Sequence, residues 1–237
     1  MAQRLAAVQH RIRQACARAG RPEDSVALLP VSKTFDADAV REAHALGLTR
    51  FGENKTQEIR QKAAELESLA LRWVMIGHLQ TNKAKDVARD VAELQSLDRV
   101  ELADALQARL ASAERTLDVL VQVKTSPEPS KFGLAPEDLG DFLAHLAHAC
   151  PALRVQGLMT MATNTDDEAA VRACFRRLRE LRDAHRSDAV PLARLSMGMS
   201  GDFELAIEEG STEVRIGTAI FGAVSYTHLT LPTILRV

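Results

Sequence analysis

Residues 28–40 read LLPVSKTFDADAV. An apolar run, Leu28-Leu29-Pro30-Val31, ends in Lys33, and helix-start chemistry follows at once. Asp36 can cap, while Ala37, Ala39 and Val40 can propagate a helical stripe. The stretch is therefore one strand-to-helix unit. A lysine at its turn is ordinarily just solvated, since lysines are rarely buried. The rest of the chain decides whether this one is more than that.

The same unit recurs along the chain. Candidate strands are ALLPVS (27–32), RFGE (50–53), RWVMIG (72–77), AELQSL (92–97), DVLVQVK (118–124), RVQGLMT (154–160), RLSMG (194–198) and EVRIGTAIFG (213–222). Between them lie segments with apolar residues at i, i+3 and i+4, and the short DFELAIEEG closes the last gap with Gly210 as a C-cap. A further amphipathic helix leads the chain. Strand–helix alternation forces parallel pairing with right-handed crossovers. Eight such units predict an α/β fold, a single (β/α)8 TIM barrel with an extra N-terminal helix. An open doubly wound sheet is the runner-up, but no GxGxxG or Walker-type loop announces it. The barrel is expected over residues 1–224. SYTHLTLPTILRV (225–237) loses charge and helical pattern and holds the single tyrosine, Tyr226, so it is expected to be a non-native or disordered tail.

Totals narrow the function. The net charge is −2 with both signs interspersed, which argues against a nucleic-acid binder driven by phosphate neutralisation. Cys16, Cys150 and Cys174 are far apart and odd in number, so no disulfide framework or CxxC zinc site is indicated. His145 and His148 in HLAHAC (145–150) are helical neighbours without a third ligand at a suitable spacing, and no metal is expected. The N-terminus lacks a signal-peptide core and no run reaches the roughly 20 apolar residues of a membrane span. A cytoplasmic protein with no membrane partner is expected, a monomer at first reading.

In such a barrel, function collects at the carboxyl ends of the strands. Lys33 ends the first strand, Glu53-Asn54 the second and Gly77-His78 the third; Lys124 and, across a loop, Ser130-Lys131 follow the fifth. SMGMSGD (196–202) and RIGTAIFG (215–222) end the seventh and eighth. Loops after strands seven and eight often hold phosphate. Backbone N–H groups at Ser200-Gly201-Asp202 can face an anion, and Gly217-Thr218 lets the main chain come close. Strand one lies beside strand eight in a closed barrel, so a ligand with an aldehyde and a phosphate would bridge Lys33 to that seat. Lysine forms Schiff bases with carbonyls, and pyridoxal 5'-phosphate (PLP) meets the description. Arg215 shares the inward face with Gly217. As a pure donor it would leave a pyridine nitrogen unprotonated and the ring a weak electron sink.

VSKT (31–34), FGENKTQE (51–58), IGHLQTNK (76–83), SKFG (130–133), GLMTMA (157–162) and LSMGMSGDFELAIEEGSTEVRIGTAIFG (195–222) together resemble the PLP homeostasis proteins. The resemblance covers the chain to about Ala223. It implies a barrel related to the N-terminal domain of alanine racemase (fold type III). It implies PLP held as a Schiff base on Lys33, with Ser200, Gly217 and Thr218 at the phosphate, Arg215 at the ring nitrogen, and Asn54 and Met199 as further contacts. The implied role is buffering, carrying or delivering PLP to PLP-dependent apoenzymes, without established turnover. The alternative is a racemase-like PLP enzyme, but two-base racemisation needs a second acid–base group opposite the lysine. Lys83, Lys124 and Lys131 are each ordinary solvated lysines alone; together they suit steering of an anion, and Lys83 or Lys131 is a candidate second amine for PLP.

Overall fold

The computed structural model describes residues 1–128 and 131–222; Ser130 and the segment from 225 to 237, with Tyr226, lie outside the described residues. Among the described residues there are eight strands: β1 (Ala27–Pro30), β2 (Arg50–Glu53), β3 (Arg72–Met75), β4 (Glu93–Leu97), β5 (Leu117–Gln122), β6 (Leu153–Met159), β7 (Arg194–Ser196) and β8 (Glu213–Ile216). Every neighbouring pair is parallel, in the order β1-β8-β7-β6-β5-β4-β3-β2. A parallel bridge between Val31 and Gly52 joins β1 to β2 and closes the ring. This is the (β/α)8 barrel expected from the alternation.

Helices α1 (Ala2–Arg18), α2 (Ala37–Ala45), α3 (Thr56–Glu65), α4 (Ala84–Asp90), α5 (Val100–Ser112), α6 (Leu139–Ala149), α7 (Glu168–His185), α8 (Phe203–Glu208) and α9 (Thr218–Phe221) form the outer shell. Asp36 caps α2 as the sequence suggests, accepting from the Ala39 amide at 2.9 Å. The leading helix buries Leu5, Val8, Ile12, Ala15 and Cys16, a stripe at helical spacing, against α8 and α9. Among the described residues no helix is long and apolar enough to cross a membrane.

The eighth strand differs from expectation. It stops at Ile216, and Thr218–Phe221 is a short helix. A short apolar run does not distinguish strand from helix by periodicity. Here Gly217 breaks the ladder, and Ile220 and Phe221 bury their side chains from a helical turn instead.

The floor of the barrel, at the amino ends of the strands, is ionic. Arg50 donates to Glu93 at 2.9 Å and to Glu213 at 3.1 Å. Arg194 donates to Glu93 at 2.9 Å and to Glu213 at 2.7 Å. Each of the four residues opens its strand, β2, β4, β7 or β8. Two arginines balance two carboxylates, which is what allows such charge inside a core. Burial opposes the Glu93 charge, but Arg194, Arg50 and Gln95 outweigh it and hold the carboxyl below the usual range. Burial likewise opposes the Arg194 charge and is outweighed by the two glutamates, so its pKa is raised.

Candidate functional site

The opposite end of the barrel is an open mouth. Lys33 follows β1 and is exposed at the rim, anchored through the residues on either side. Ser32, fully buried, donates its hydroxyl to Glu53 Oε1 at 2.6 Å. The Ser32 carbonyl accepts from Lys62 Nζ at 2.9 Å, and the same ammonium donates to Glu53 Oε1 at 2.7 Å. On the other side Thr34 has φ +68°, a left-handed conformation unusual for a β-branched residue, and its amide donates to Glu58 Oε2 at 3.0 Å. The backbone of Lys33 is thus pinned at both neighbours. Burial pushes the Glu53 carboxyl above the usual range, against the bonds from Lys62 and Ser32. Its Oε2 is buried and has no hydrogen-bond partner among the described residues.

Arg215 rises from β8 into the barrel and is buried. Its Nη1 donates to Ser196 Oγ at 2.8 Å and its Nη2 to the Thr160 carbonyl at 2.9 Å. Ser196 in turn donates to Gln95 Oε1 at 2.7 Å. The Gln95 amide donates to Glu93 at 2.7 Å and also to Glu213. A polar column therefore runs from the ionic floor to the mouth and sets the orientation of the guanidinium. Burial pulls Arg215 down to about 10, so it remains charged at neutral pH.

Two loops complete the mouth. In the loop after β7, Asp202 Oδ1 accepts from the Met199 amide at 2.6 Å, and the Asp202 amide donates to the Met199 carbonyl at 3.1 Å. The Asp202 amide is therefore engaged within its own loop, unlike the anion-facing group the sequence suggests. After β8, Thr218 Oγ1 lies 3.4 Å from Ser200 Oγ, bringing the two loops together. Gly217 permits a close approach, since a Cβ there would stand 3.0 Å from the Val31 carbonyl oxygen, tighter than ordinary contact. Gly77 plays the same part for Asn54, whose carbonyl oxygen would meet a Cβ at 2.3 Å.

These elements enclose a cavity of about 430 Å³. All seven residues singled out in the sequence line it: Lys33, Asn54, Met199, Ser200, Arg215, Gly217 and Thr218. His78 and Phe132 share the wall, stacked with ring centroids 3.9 Å apart and planes at 16°. They also bound a neighbouring open basin with Arg99, Lys124 and Lys131. Lys83 lines neither space. The sequence reading missed Phe132, since an aromatic on an irregular loop carries no periodic signal. It also missed Lys62, whose i, i+4 spacing from Glu58 reads as a surface pair.

Comparison with known proteins adds to this geometry. The family described as alanine racemase, N-terminal domain, matches residues 3–225. The PLP homeostasis protein of Pseudomonas aeruginosa is 48% identical over 95% of this chain and 96% of its own. The structure of PipY from Synechococcus elongatus with PLP bound is 37% identical, superposes with a TM-score of 0.77, and covers 89% of this chain and 98% of PipY. Alanine racemase of Clostridium difficile is 16% identical with a TM-score of 0.71 over 92% of this chain and 56% of that one, a likeness of fold alone. The chain belongs to the alanine racemase N-terminal-domain family, and within it to the PLP homeostasis proteins.

Proposed function

We propose that the chain binds PLP in the barrel mouth and serves intracellular PLP homeostasis by holding and releasing it. The observation that carries this is the convergence of Lys33, Arg215, Ser200, Gly217 and Thr218 on one cavity of about 430 Å³, within the usual range for small-molecule sites. The residues fit the group. Gly217 leaves beside the Val31 carbonyl a space that any Cβ would fill, and the two loops offer hydroxyls and main chain to a phosphate. Arg215 presents only donors to a ring nitrogen and cannot hand it a proton at neutral pH. Lys33 is the amine for the aldehyde. Asn54 and Met199 bound the ring. When bound, the cofactor supplies a carbonyl and an electron-accepting ring; an unprotonated ring nitrogen keeps the second capacity weak.

Two features support a role without turnover. Among the described residues, the titratable side chains lining the cavity are Lys33, His78 and Arg215. His78 is stacked on Phe132, and its Nδ1 lies 3.5 Å from Asp98, so the histidine is engaged rather than poised opposite the lysine. The racemase-like alternative needs such an opposing group. The name of the relatives, homeostasis protein, is consistent with the first reading. In this role the chain works as a cytoplasmic monomer that delivers PLP to PLP-dependent apoenzymes, with Lys124 and Lys131 steering the anion past the adjoining basin.

The test is an absorption spectrum of the protein loaded with PLP, beside Lys33→Ala. A visible imine band in the parent that is lost in the variant is expected. An unchanged band in the variant overturns the assignment of Lys33. Assays with alanine and serine separate the readings: racemisation at ordinary enzyme rates would overturn the carrier role.

A further inference from the structure

A second cluster of chemically active side chains lies on the outer shell, where α5 meets α6. Asp104 Oδ1 and His145 Nε2 are 2.7 Å apart. The Cys150 thiol lies 3.7 Å from the same carboxylate oxygen. One donor atom from each residue falls within 4.8 Å of the others. Asp104 comes from α5, His145 from α6, and Cys150 is the residue that ends α6. None of the three lines the barrel mouth.

We propose that Asp104, His145 and Cys150 form a binding site for a zinc-like divalent ion. Oxygen, nitrogen and sulfur converging from three residues are a borderline-soft donor set, which suits zinc and disfavours magnesium or calcium. Bonds of about 2.0–2.3 Å to a tetrahedral ion place donors roughly 3.2–3.7 Å apart. The oxygen–sulfur separation already matches. The oxygen–nitrogen pair must open by about 0.5 Å, and both side chains have room, being 53% and 30% exposed for Asp104 and His145. The buried thiol forms the closed end of the site, and the exposed carboxylate leaves a fourth position open to water.

The charge and proton balance are simple. The ion displaces the thiol proton of Cys150 to solvent and forms a metal–sulfur bond. His145 moves its ring proton to Nδ1, freeing the Nε2 lone pair. One dication then faces one thiolate and one carboxylate, and the site is neutral. Sequence spacing offers only the histidine pair; the fold leaves His148 out of the cluster and brings in the other two ligands.

The experiment titrates the full chain with zinc and with cobalt(II). One equivalent of zinc retained after dialysis is expected, and cobalt is expected to give a sulfur-to-metal charge-transfer band in the near ultraviolet. Cys150→Ser should abolish that band, and His145→Gln and Asp104→Asn should each weaken zinc more than about tenfold. Circular dichroism confirms that each variant is folded. A parent protein that gives no cobalt–thiolate band sinks the proposal whatever the variants do. Zinc held equally by parent, Cys150→Ser and His145→Gln is an adventitious ion and also overturns it. The readout does not depend on PLP, so it stands or falls apart from the function proposed above.

Discussion

Lys62 Nζ donates to the carbonyl of Ser32 at 2.9 Å, so a buried ammonium on α3 holds the peptide that leads into Lys33. The same ammonium neutralises Glu53, whose second carboxylate oxygen has no partner among the described residues. Removing the lysine leaves a buried carboxylate facing only Ser32. Lys62→Met is expected to destabilise the fold by about 3 kcal/mol and to slow PLP capture by Lys33. Adding Glu53→Gln should recover part of the loss. Denaturant unfolding reads the first effect and imine absorbance the second; a single Lys62→Met change that leaves both untouched removes the anchoring role.

A Cβ on Gly217 would crowd the Val31 carbonyl oxygen at 3.0 Å. Gly217→Ala is expected to move the loop after β8 away from Ser200 and weaken PLP binding by at least about tenfold, about 1.4 kcal/mol. A spectroscopic titration measures this. Parent-like affinity would mean that the phosphate is held elsewhere.

The Ser196 hydroxyl links Arg215 to Gln95. Ser196→Ala leaves one guanidinium nitrogen without its acceptor, a loss of roughly 1–3 kcal/mol for a bond to a charged group. The bound chromophore should shift in absorption as Arg215 reorients. Destabilisation without any spectral change would confine Ser196 to a structural part.

The ionic floor predicts a pH dependence. The folded Glu93 carboxyl lies below its ordinary value: burial opposes its charge, but Arg194, Arg50 and Gln95 prevail. A group depressed on folding contributes stability that is present above its unfolded pKa, about 4.3, and is lost as pH falls through the lowered folded value. Glu93→Gln should therefore destabilise strongly at pH 7 and progressively less under acid. Unfolding midpoints between neutrality and pH 3 test the sign, and a constant penalty across that range contradicts it.

Phe132 covers His78 at 3.9 Å and separates the cavity from the basin beside it. Phe132→Ala should join the two spaces and raise the PLP dissociation rate, with little effect on unfolding because the ring is 52% exposed. Stopped-flow release to an apoenzyme acceptor measures it; parent-like release would make the ring a bystander.

What was legible locally was legible well. Apolar runs placed β1 to β7 to within two residues, and Asp36 announced the start of α2. β8 was overextended because TAIF is apolar in either conformation. Lys33, Arg215, Gly217 and Thr218 could be named because strand ends and a glycine turn leave a local mark. Lys62, Phe132 and the ring of Arg50, Glu93, Arg194 and Glu213 leave none. Their sequence neighbours describe exposed helix, irregular loop and strand edge, and their contacts, Lys62 with Ser32, Phe132 with His78 and Arg50 with Glu93, form only in the fold.

The sequence by itself determined the alternation of strand and helix, and with it the end of the barrel where chemistry collects, because both follow from periodicity within a dozen residues. The tertiary structure alone decided which charges are buried together, which lysine anchors and which is exposed, and that Asp104, His145 and Cys150 meet. Those outcomes depend on closure of β1 on β8, where Ala27 pairs with Glu213, and on the packing of α5 on α6, where Asp104 meets His145, and no local pattern encodes them.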